Sequence, residues 1–132
     1  MTYHRHPNGA WRLAWSPDGT RIASGDDISF KDFMSGKKVA TTVRIWDATT
    51  GHQIVTYHGH VGLITALMWS PDGTRIASGG NDNTVQIWDA TTGKSLFTYH
   101  KHKYVVGDLS WSPNGKYIAS ADIWNVLIWQ AV

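Results

Sequence analysis

Cysteine and glutamate are both absent from this chain of 132 residues. Without cysteine the protein cannot form disulfide bonds, thiolate metal sites or a cysteine nucleophile. All ten acidic residues are therefore aspartates. Because aspartate is common in turns whereas glutamate favours helices, this composition predicts hairpins rather than helices.

Long apolar runs and clusters of like charge are also missing. No segment approaches the roughly 18 continuous apolar residues of a transmembrane helix, and the opening MTYHRHPNGAW has no apolar core of a secretory signal. Twelve basic against ten acidic residues give a net charge of +2. Nucleic-acid binding would need basic residues clustered on one face. We therefore expect a cytoplasmic protein that binds neither membranes nor nucleic acids.

The sequence repeats itself three times. WSPDG begins at Trp15 and again at Trp69, and WSPNG begins at Trp111, so the copies are 54 and 42 residues apart. The segments TYHRH, TYHGH and TYHKH follow the same two steps. The unit is therefore 42 residues long, and copy one carries 12 additional residues between Ile22 and Trp46. Internal repeats of this length are typical of arrays of one supersecondary unit.

Within each unit, short apolar segments alternate with turn signals. In copy two, ITALMWS ends at a Ser-Pro-Asp-Gly turn, in which proline presets φ and glycine supplies a positive φ. RIASGG, TVQIWDA and SLFTYH follow, separated by the turns NDN and TTG. Strands of about five to seven residues with a turn roughly every 8–12 residues are typical of an all-β array.

Three features recur along the chain: a His at a fixed register, SPDG nine to thirteen residues later, and Ile-Trp-Asp at a 42-residue step. Together they resemble the WD-repeat β-propeller family across essentially the whole chain. The resemblance implies an all-β, partial propeller of three four-stranded antiparallel blades, with strands a to d running from channel to rim. The predicted single domain, 1–132, contains repeat 1 (2–47, with a b–c loop insertion at about 27–40), repeat 2 (56–89) and repeat 3 (98–130). The last blade lacks its outer strand.

The same resemblance implies a buried hydrogen-bonded network of His, Ser, Asp and Trp in each blade. The predicted members are His6, Ser24 and Trp46 in copy one, His60, Ser78, Asp82 and Trp88 in copy two, and His102, Ser120 and Trp129 in copy three. In copy one the acid must be Asp26 or Asp27. In copy three Ile123 occupies the Asp register, so that only Asp122 can substitute.

Two chemical alternatives compete with this framework. His4/His6, His58/His60 and His100/His102 have the period-two spacing that puts both rings on one face of a strand, where they could chelate a metal. The alternative is that the second His of each pair is structural and the first is exposed; since no carboxylate or cysteine shares the spacing, we expect neither metal nor cofactor. A Ser-His-Asp trio also suits nucleophilic catalysis. We assign it to the framework and expect no enzyme activity.

Candidate binding residues are those that break the repeat. Trp11, Tyr104 and Trp124 replace smaller residues near the d–a and b–c loops, which by family topology share the top face; Trp and Tyr are common interface anchors. The alternative is that they pack on each other or on a neighbouring blade. Phe30 and Phe33 lie on the insertion, which either contacts a partner or forms a β-hairpin extension that covers its own blade.

Three blades cannot close a ring, because propellers have about four to eight. The chain is either a piece of a longer array or a subunit whose copies complete one propeller. In a ring of two copies, Arg12 and Asp108 would pair at the junction, and Met1–Tyr3 would complete the partner copy's last blade. We predict a non-enzymatic protein-interaction scaffold with an unidentified protein partner. The alternatives are a small-molecule-binding or catalytic propeller that uses its channel, or a fragment with no function of its own.

Overall fold

The computed structural model describes residues 2–131. Eleven strands and one short helix make up its regular structure. The strands are β1 Ala10–Trp15, β2 Arg21–Asp26, β3 Ala40–Asp47, β4 Gln53–Val61, β5 Ile64–Trp69, β6 Arg75–Gly80, β7 Val85–Asp89, β8 Ser95–Tyr99, β9 Asp108–Trp111, β10 Tyr117–Ala121 and β11 Val126–Gln130, and helix α1 is Phe30–Ser35.

The strands form three antiparallel sheets that follow one another along the chain. Blade one has the order β1-β2-β3-β4 and blade two the order β5-β6-β7-β8, whereas the described part of blade three has only β9, β10 and β11. This arrangement confirms the prediction of an all-β, partial propeller whose third blade lacks the outer strand d. Because strand a starts where strand b ends, as in the pairing of Ile64 with Gly80, the d–a loops and b–c turns lie at one end of the blades, the top face.

The a–b hairpins at the opposite end are closed by the repeated Ser-Pro-Asp-Gly turn. In blade two the Ser70 hydroxyl donates to Asp72 Oδ1 at 2.7 Å, and the Thr74 backbone N–H donates to the same oxygen at 3.0 Å. These hydrogen bonds lower the pKa of Asp72 to about 2. Gly73 has φ of 73°, a value that glycine adopts without steric cost. The turn thus sets the register of the hairpin.

Strand a carries a β-bulge near its start in blades one and two. The pairing of β1 with β2 shifts between Ala10 and Arg12, and that of β5 with β6 shifts between Ile64 and Ala66. The bulged residues are Trp11 and Thr65. Because a bulge re-aims the extra side chain, residues at this position leave the regular alternation of the sheet. At this bulged position, the Thr65 hydroxyl donates a hydrogen bond to Val106 O in blade three.

Two apolar clusters fill the spaces between successive blades. The cluster between blades one and two includes Val43, Ile45 and Tyr57 on one side and Ile64, Ile76 and Trp88 on the other. The cluster between blades two and three includes Val85, Ile87, Val106, Leu109 and Trp129. Each blade therefore depends on its neighbours for burial, as expected for a repeat array.

The insertion of copy one forms a helix rather than a hairpin. Strand β2 ends at Asp26 and β3 begins at Ala40. Between them, the Ser29 side chain accepts a hydrogen bond from the Asp32 backbone N–H at 3.1 Å, and Gly36 ends the helix with φ of 68°. This local N-cap and left-handed C-cap stabilise a six-residue helix, so the alternative of a β-hairpin extension is wrong.

Candidate functional site

The polar network of blade two connects the end of β4, the strand d of blade one, with strand b, the b–c turn and strand c of blade two. His60 Nε2 lies 2.7 Å from Ser78 Oγ, and its Nδ1 lies 2.8 Å from Asp82 Oδ2. The indole N–H of Trp88 donates to Ser78 Oγ at 3.2 Å. Since an indole can only donate, the Ser78 hydroxyl accepts from Trp88 and donates to His60 Nε2, and His60 Nδ1 donates to Asp82. All four side chains are then satisfied with a neutral imidazole.

The same contacts occur in blades one and three, but the carboxylate comes from a different position. In blade one, His6 Nδ1 is hydrogen-bonded to Asp26, the last residue of β2. In blade three, His102 Nδ1 lies 2.7 Å from Asp122 Oδ2, while Ile123 is exposed. Of the two acids proposed for copy one, the structure uses Asp26; Asp27 accepts from the Ile28 backbone N–H.

The serine and tryptophan contacts of the outer blades are equally regular. His6 Nε2 lies 2.6 Å from Ser24 Oγ, and the Trp46 indole N–H donates to that oxygen at 2.9 Å. In blade three, Ser120 Oγ lies 2.6 Å from His102 Nε2 and accepts from the Trp129 indole N–H at 2.9 Å. A buried network of this kind stabilises the fold only when every member has a partner, and that condition is met here.

The contacts of the network aspartates set the direction in which their pKa values shift. Burial raises the pKa of Asp82, but hydrogen bonds from His60, Thr84 and the Val61 backbone outweigh it, so the pKa lies below its ordinary value. The pKa of Asp26 is lowered in the same way, against burial, by His6 and Thr42. For Asp122 the hydrogen bond from His102 is the largest cause of the lowered pKa.

Burial decides whether the Ser-His-Asp trio can act as a nucleophile. Ser78 is 0% exposed and His60 is 3% exposed. A nucleophilic hydroxyl must reach an external substrate and needs a free lone pair in the attack direction. Ser78 Oγ is instead enclosed between His60 and Trp88, which is the geometry of a structural hydrogen bond.

The His-x-His pairs divide in the same way in all three copies. His4, His58 and His100 are exposed. Their partners His6, His60 and His102 each hold a serine and an aspartate. Both ring nitrogens of each second histidine are therefore committed. Within residues 2–131, no three His, Cys or Asp side chains are grouped so that they could hold a metal ion.

The repeat-breaking aromatic residues lie at the top face and are exposed. Trp11 is the bulged residue of β1, Tyr104 lies in the loop before β9, and Trp124 lies in the turn between β10 and β11. Trp11 has the guanidinium of Arg12 5.5 Å from its ring centroid. In the described part of the chain, none of the three aromatic rings stacks on another of them.

A groove of about 540 Å³ lies at the same end of the molecule, between the insertion and blade two. Phe33 of α1 and Ile28 line one side, and Val61 with Gly62 lines the other. The Gly62 backbone N–H donates to Val39 O at 2.6 Å and so fixes the insertion to the d–a loop between blades one and two. Phe33 and Phe30 are both exposed, but only Phe33 lines the groove.

The groove also has a charged border. Lys37 and Lys38 line it together with Asp32 and Asp82. Lys37 Nζ lies 4.0 Å from Asp32 Oδ1, and Asp82 is occupied by the blade-two network. Within residues 2–131, Lys38 has no acidic side chain within ion-pair distance. The groove therefore combines an apolar centre with a border of two lysines and two aspartates, in which Lys38 is the lysine without an ion pair.

The predicted insertion, 27–40, includes Phe33, Ile28 and Lys38, whereas sequence reasoning did not connect Val61 with them. Ile28, Val61 and Lys38 carry no motif, and Val61 is separated from Phe33 by 28 positions in the sequence. They converge because β3 and β4 extend beyond their usual length, pairing Ala40 with Val61. The only sequence signal is the insertion itself.

The predicted pairing of Arg12 with Asp108 at a junction between two copies needs correction. Arg12 Nε donates to Thr65 O at 2.9 Å, in blade two of its own chain. Ala66, which has the same repeat position as Arg12, likewise packs toward the following blade. Asp108 accepts a hydrogen bond from the Leu109 backbone N–H. Arg12 thus belongs to the junction between blades one and two, on the opposite side of blade one from any incoming copy.

Antiparallel blades of up to four strands, each tied by a His-Ser-Trp-Asp network, define a propeller-repeat protein. The family model "WD domain, G-beta repeat" matches residues 1–47, 51–89 and 93–129. The chain therefore belongs to the WD-repeat family, as its motifs predicted.

Curated relatives share segments of this chain. It is 43% identical over 54 residues to nuclear distribution protein PAC1 of Coccidioides posadasii, covering 37% of this chain and 12% of that protein. It is 45% identical over 51 residues to the guanine nucleotide-binding protein subunit beta of Oryza sativa subsp. indica, covering 38% and 13%. Over 79 residues it is 30% identical to the U5 small nuclear ribonucleoprotein 40 kDa protein of Mus musculus, covering 60% and 19%. The chain thus spans less than a fifth of each of these relatives.

Helix α1 has six residues. Within residues 2–131, no helix reaches the length and apolar character needed to cross a bilayer.

Proposed function

We propose that this chain is a non-enzymatic protein-interaction module that binds a segment of a partner protein at its top face. The observation that carries the proposal is the groove between Phe33, Ile28 and Val61. Its volume lies within the range of about 300–1,000 Å³ that is typical of ligand sites. Trp11, Tyr104, Trp124 and Phe30 provide further exposed anchors at the same end.

The groove's chemistry specifies the partner segment. An apolar side chain seated beside Phe33 would remove exposed aromatic surface from water. An acidic side chain next to that anchor could pair with Lys38, which forms no ion pair within the described residues. The favoured occupant is therefore a leucine or phenylalanine flanked by aspartate or glutamate, with electrostatic complementarity providing specificity.

The relatives support an interaction role. The rice relative is by name a subunit, and the mouse relative is by name part of a ribonucleoprotein. The enclosed network serines support a role without nucleophilic catalysis, since Ser78 has no access to a substrate.

The test uses fluorescein-labelled nonapeptides with a central leucine or phenylalanine, flanked by either aspartates or lysines, and fluorescence anisotropy as the readout. We expect the acidic peptides to bind and the basic peptides not to bind. Phe33→Ala should weaken binding about tenfold, which corresponds to loss of roughly 1.4 kcal/mol of apolar contact. Lys38→Glu should also weaken binding of the acidic peptides.

Leu96→Ala provides the matched control, because Leu96 is an exposed apolar residue on β8, away from the groove. This variant should bind the acidic peptides like the unmodified chain. Equal affinity of the Phe33→Ala and unmodified proteins would rule out the groove as the binding site. Equal binding of acidic and basic peptides would rule out the role of Lys38.

A further inference from the structure

The side chain of Asn81 lines the groove beside α1. Asn81 follows β6 directly, at the start of the b–c turn of blade two, and is half-buried. Its backbone N–H donates to Leu63 O at 3.0 Å, so the turn holds the residue in place. Its side-chain amide, in contrast, forms no hydrogen bond with any of residues 2–131. The groove therefore contains a fixed asparagine whose amide is available to a partner.

Asp82, the next residue, lines the same groove, but both of its carboxylate oxygens are occupied. Asp82 Oδ1 accepts from the Thr84 backbone N–H at 3.1 Å and from the Thr84 hydroxyl at 2.7 Å. Asp82 Oδ2 accepts from His60 Nδ1 at 2.8 Å and from the Val61 backbone N–H at 3.2 Å. A donor on a partner would therefore compete with the fold for Asp82, whereas it can bind Asn81 Oδ1 without such competition.

The d–a loop beside Asn81 is also occupied. The Gly62 backbone N–H donates to Val39 O at 2.6 Å, and the Gly62 carbonyl accepts from the Thr41 hydroxyl at 2.7 Å. A Cβ built on Gly62 would lie 3.2 Å from Asn81 Cβ and 3.9 Å from its Nδ2. The absence of a side chain on Gly62 thus leaves room for the Asn81 side chain, while the glycine backbone already has its partners.

Asn83, in the same turn, shows the contrasting case of an asparagine amide that the fold uses. Asn83 Nδ2 donates to Lys103 O at 3.2 Å, in the loop before β9. This hydrogen bond joins the b–c turn of blade two to the loop that leads into blade three. Asn83 therefore has a structural role, and it is not part of the groove lining.

An asparagine amide suits one kind of ligand group particularly well. It presents a carbonyl acceptor and an NH₂ donor side by side. In an extended peptide, the N–H and C=O of one residue lie on the same edge of the chain and can bond to one partner together. Because Phe33 and Asn81 line the same groove, a segment whose apolar side chain contacts Phe33 can bring its main chain to Asn81.

We infer that Asn81 binds the main chain of the partner segment, and that this segment is extended where it crosses the groove. Asn81 Oδ1 accepts from the N–H of one partner residue, and Asn81 Nδ2 donates to the carbonyl of the same residue. This inference rests on the proposed function of the groove. Phe33 and Lys38 then select the side chains of the segment, whereas Asn81 fixes its conformation and its register.

Backbone-modified peptides in the anisotropy assay test the inference. The acidic leucine peptide is N-methylated in turn at the leucine and at the residue on either side, which removes one main-chain donor each time. We expect one of the three methylated peptides to bind the unmodified chain about fivefold more weakly, because one hydrogen bond is lost. Asn81→Ala should bind the unmethylated peptide about tenfold more weakly, because both hydrogen bonds are lost.

The two changes should not be additive. The methylated peptide that binds the unmodified chain more weakly should bind Asn81→Ala as well as the unmethylated peptide does, because the acceptor for that donor has been removed. An effect of methylation on the free peptide would instead weaken binding to both proteins by the same factor, and this result would overturn the inference. The thermal midpoint of Asn81→Ala should equal that of the unmodified chain, and a lowered midpoint would assign the amide a structural role instead.

Asn83→Ala is the matched control, because it removes an amide from the same turn outside the groove. It should leave the peptide affinities and their sensitivity to methylation unchanged. Equal affinity of Asn81→Ala and the unmodified chain for the acidic leucine peptide, or equal affinity of the unmodified chain for all the methylated and unmethylated peptides, would overturn the role of Asn81 and leave the groove as a binding site. Failure of every acidic peptide to bind the unmodified chain would overturn both proposals.

Discussion

Val106 at the start of blade three packs directly against the backbone of Gly79 in blade two. An ideal Cβ on Gly79 would lie 2.8 Å from Val106 Cγ1 and 3.1 Å from its Cβ. Val106 is fully buried, so it cannot move aside into solvent. This contact makes the glycine a requirement of the junction between two blades rather than of its own strand.

Gly79→Ala should therefore destabilise the protein by about 1–3 kcal/mol, the usual cost of overpacking a filled core. Val106→Ala should recover part of that loss in the double variant, although it costs stability by itself. The measurement is urea denaturation of the two single variants and the double variant, analysed as a double-mutant cycle.

Gly107→Ala is the control for this prediction, because nothing lies within 4 Å of a Cβ built on Gly107. It should change the free energy of unfolding by less than about 0.5 kcal/mol. Additive effects of Gly79→Ala and Val106→Ala would contradict the proposed contact.

The blade-two network provides a second prediction. Asp82→Ala or His60→Ala should lower the free energy of unfolding by about 1–3 kcal/mol, because each leaves a buried polar partner without a hydrogen bond. Asp122→Ala should act in the same direction in blade three. Ile123→Ala should have little effect, since Ile123 is exposed although it occupies the aspartate register. Thermal denaturation followed by circular dichroism gives the comparison, and an unchanged midpoint for Asp82→Ala would contradict a stabilising network.

These networks also show how much of the site could be predicted from the sequence. The register of His60, Ser78 and Trp88 follows from the repeat together with the family resemblance. The acid does not, because Asp26 and Asp122 lie two residues after the network serine whereas Asp82 lies four residues after it.

The insertion was harder to predict, for a different reason. Helix α1 depends on a serine N-cap and a glycine C-cap within eight residues, and such short local signals compete with hairpin formation in a strand-rich chain. The groove beside it depends on tertiary pairing of Ala40 with Val61. No local pattern specifies that contact.

Acid should destabilise the fold through the same aspartates. Asp26, Asp82 and Asp122 have lowered pKa values in the folded chain. A carboxyl group whose folded pKa is lowered stabilises the protein above its unfolded pKa of about 3.9, and this contribution is lost as the pH falls through the folded value. The urea midpoint should therefore decrease steeply below about pH 4.

Asp82→Asn is the variant that isolates one of these groups, because the amide does not titrate. It should be less stable than the unmodified chain at neutral pH and should show a shallower decrease below about pH 4. Parallel acid profiles for the two proteins would show that Asp82 does not contribute to the pH dependence.

The exposed aromatic residues of the top face lead to the last prediction. If Trp11 and Trp124 anchor a partner, Trp11→Ala and Trp124→Ala should weaken binding of a captured partner or of the acidic peptides. Because both side chains are exposed, neither change opens a cavity in the core, and the circular-dichroism spectrum and thermal midpoint should stay unchanged. Ile54→Ala, which removes an exposed apolar side chain from β4, is the control for general loss of surface hydrophobicity. Unfolding of either tryptophan variant would make that residue a structural one, and full binding by both variants would restrict the binding surface to the groove beside Phe33.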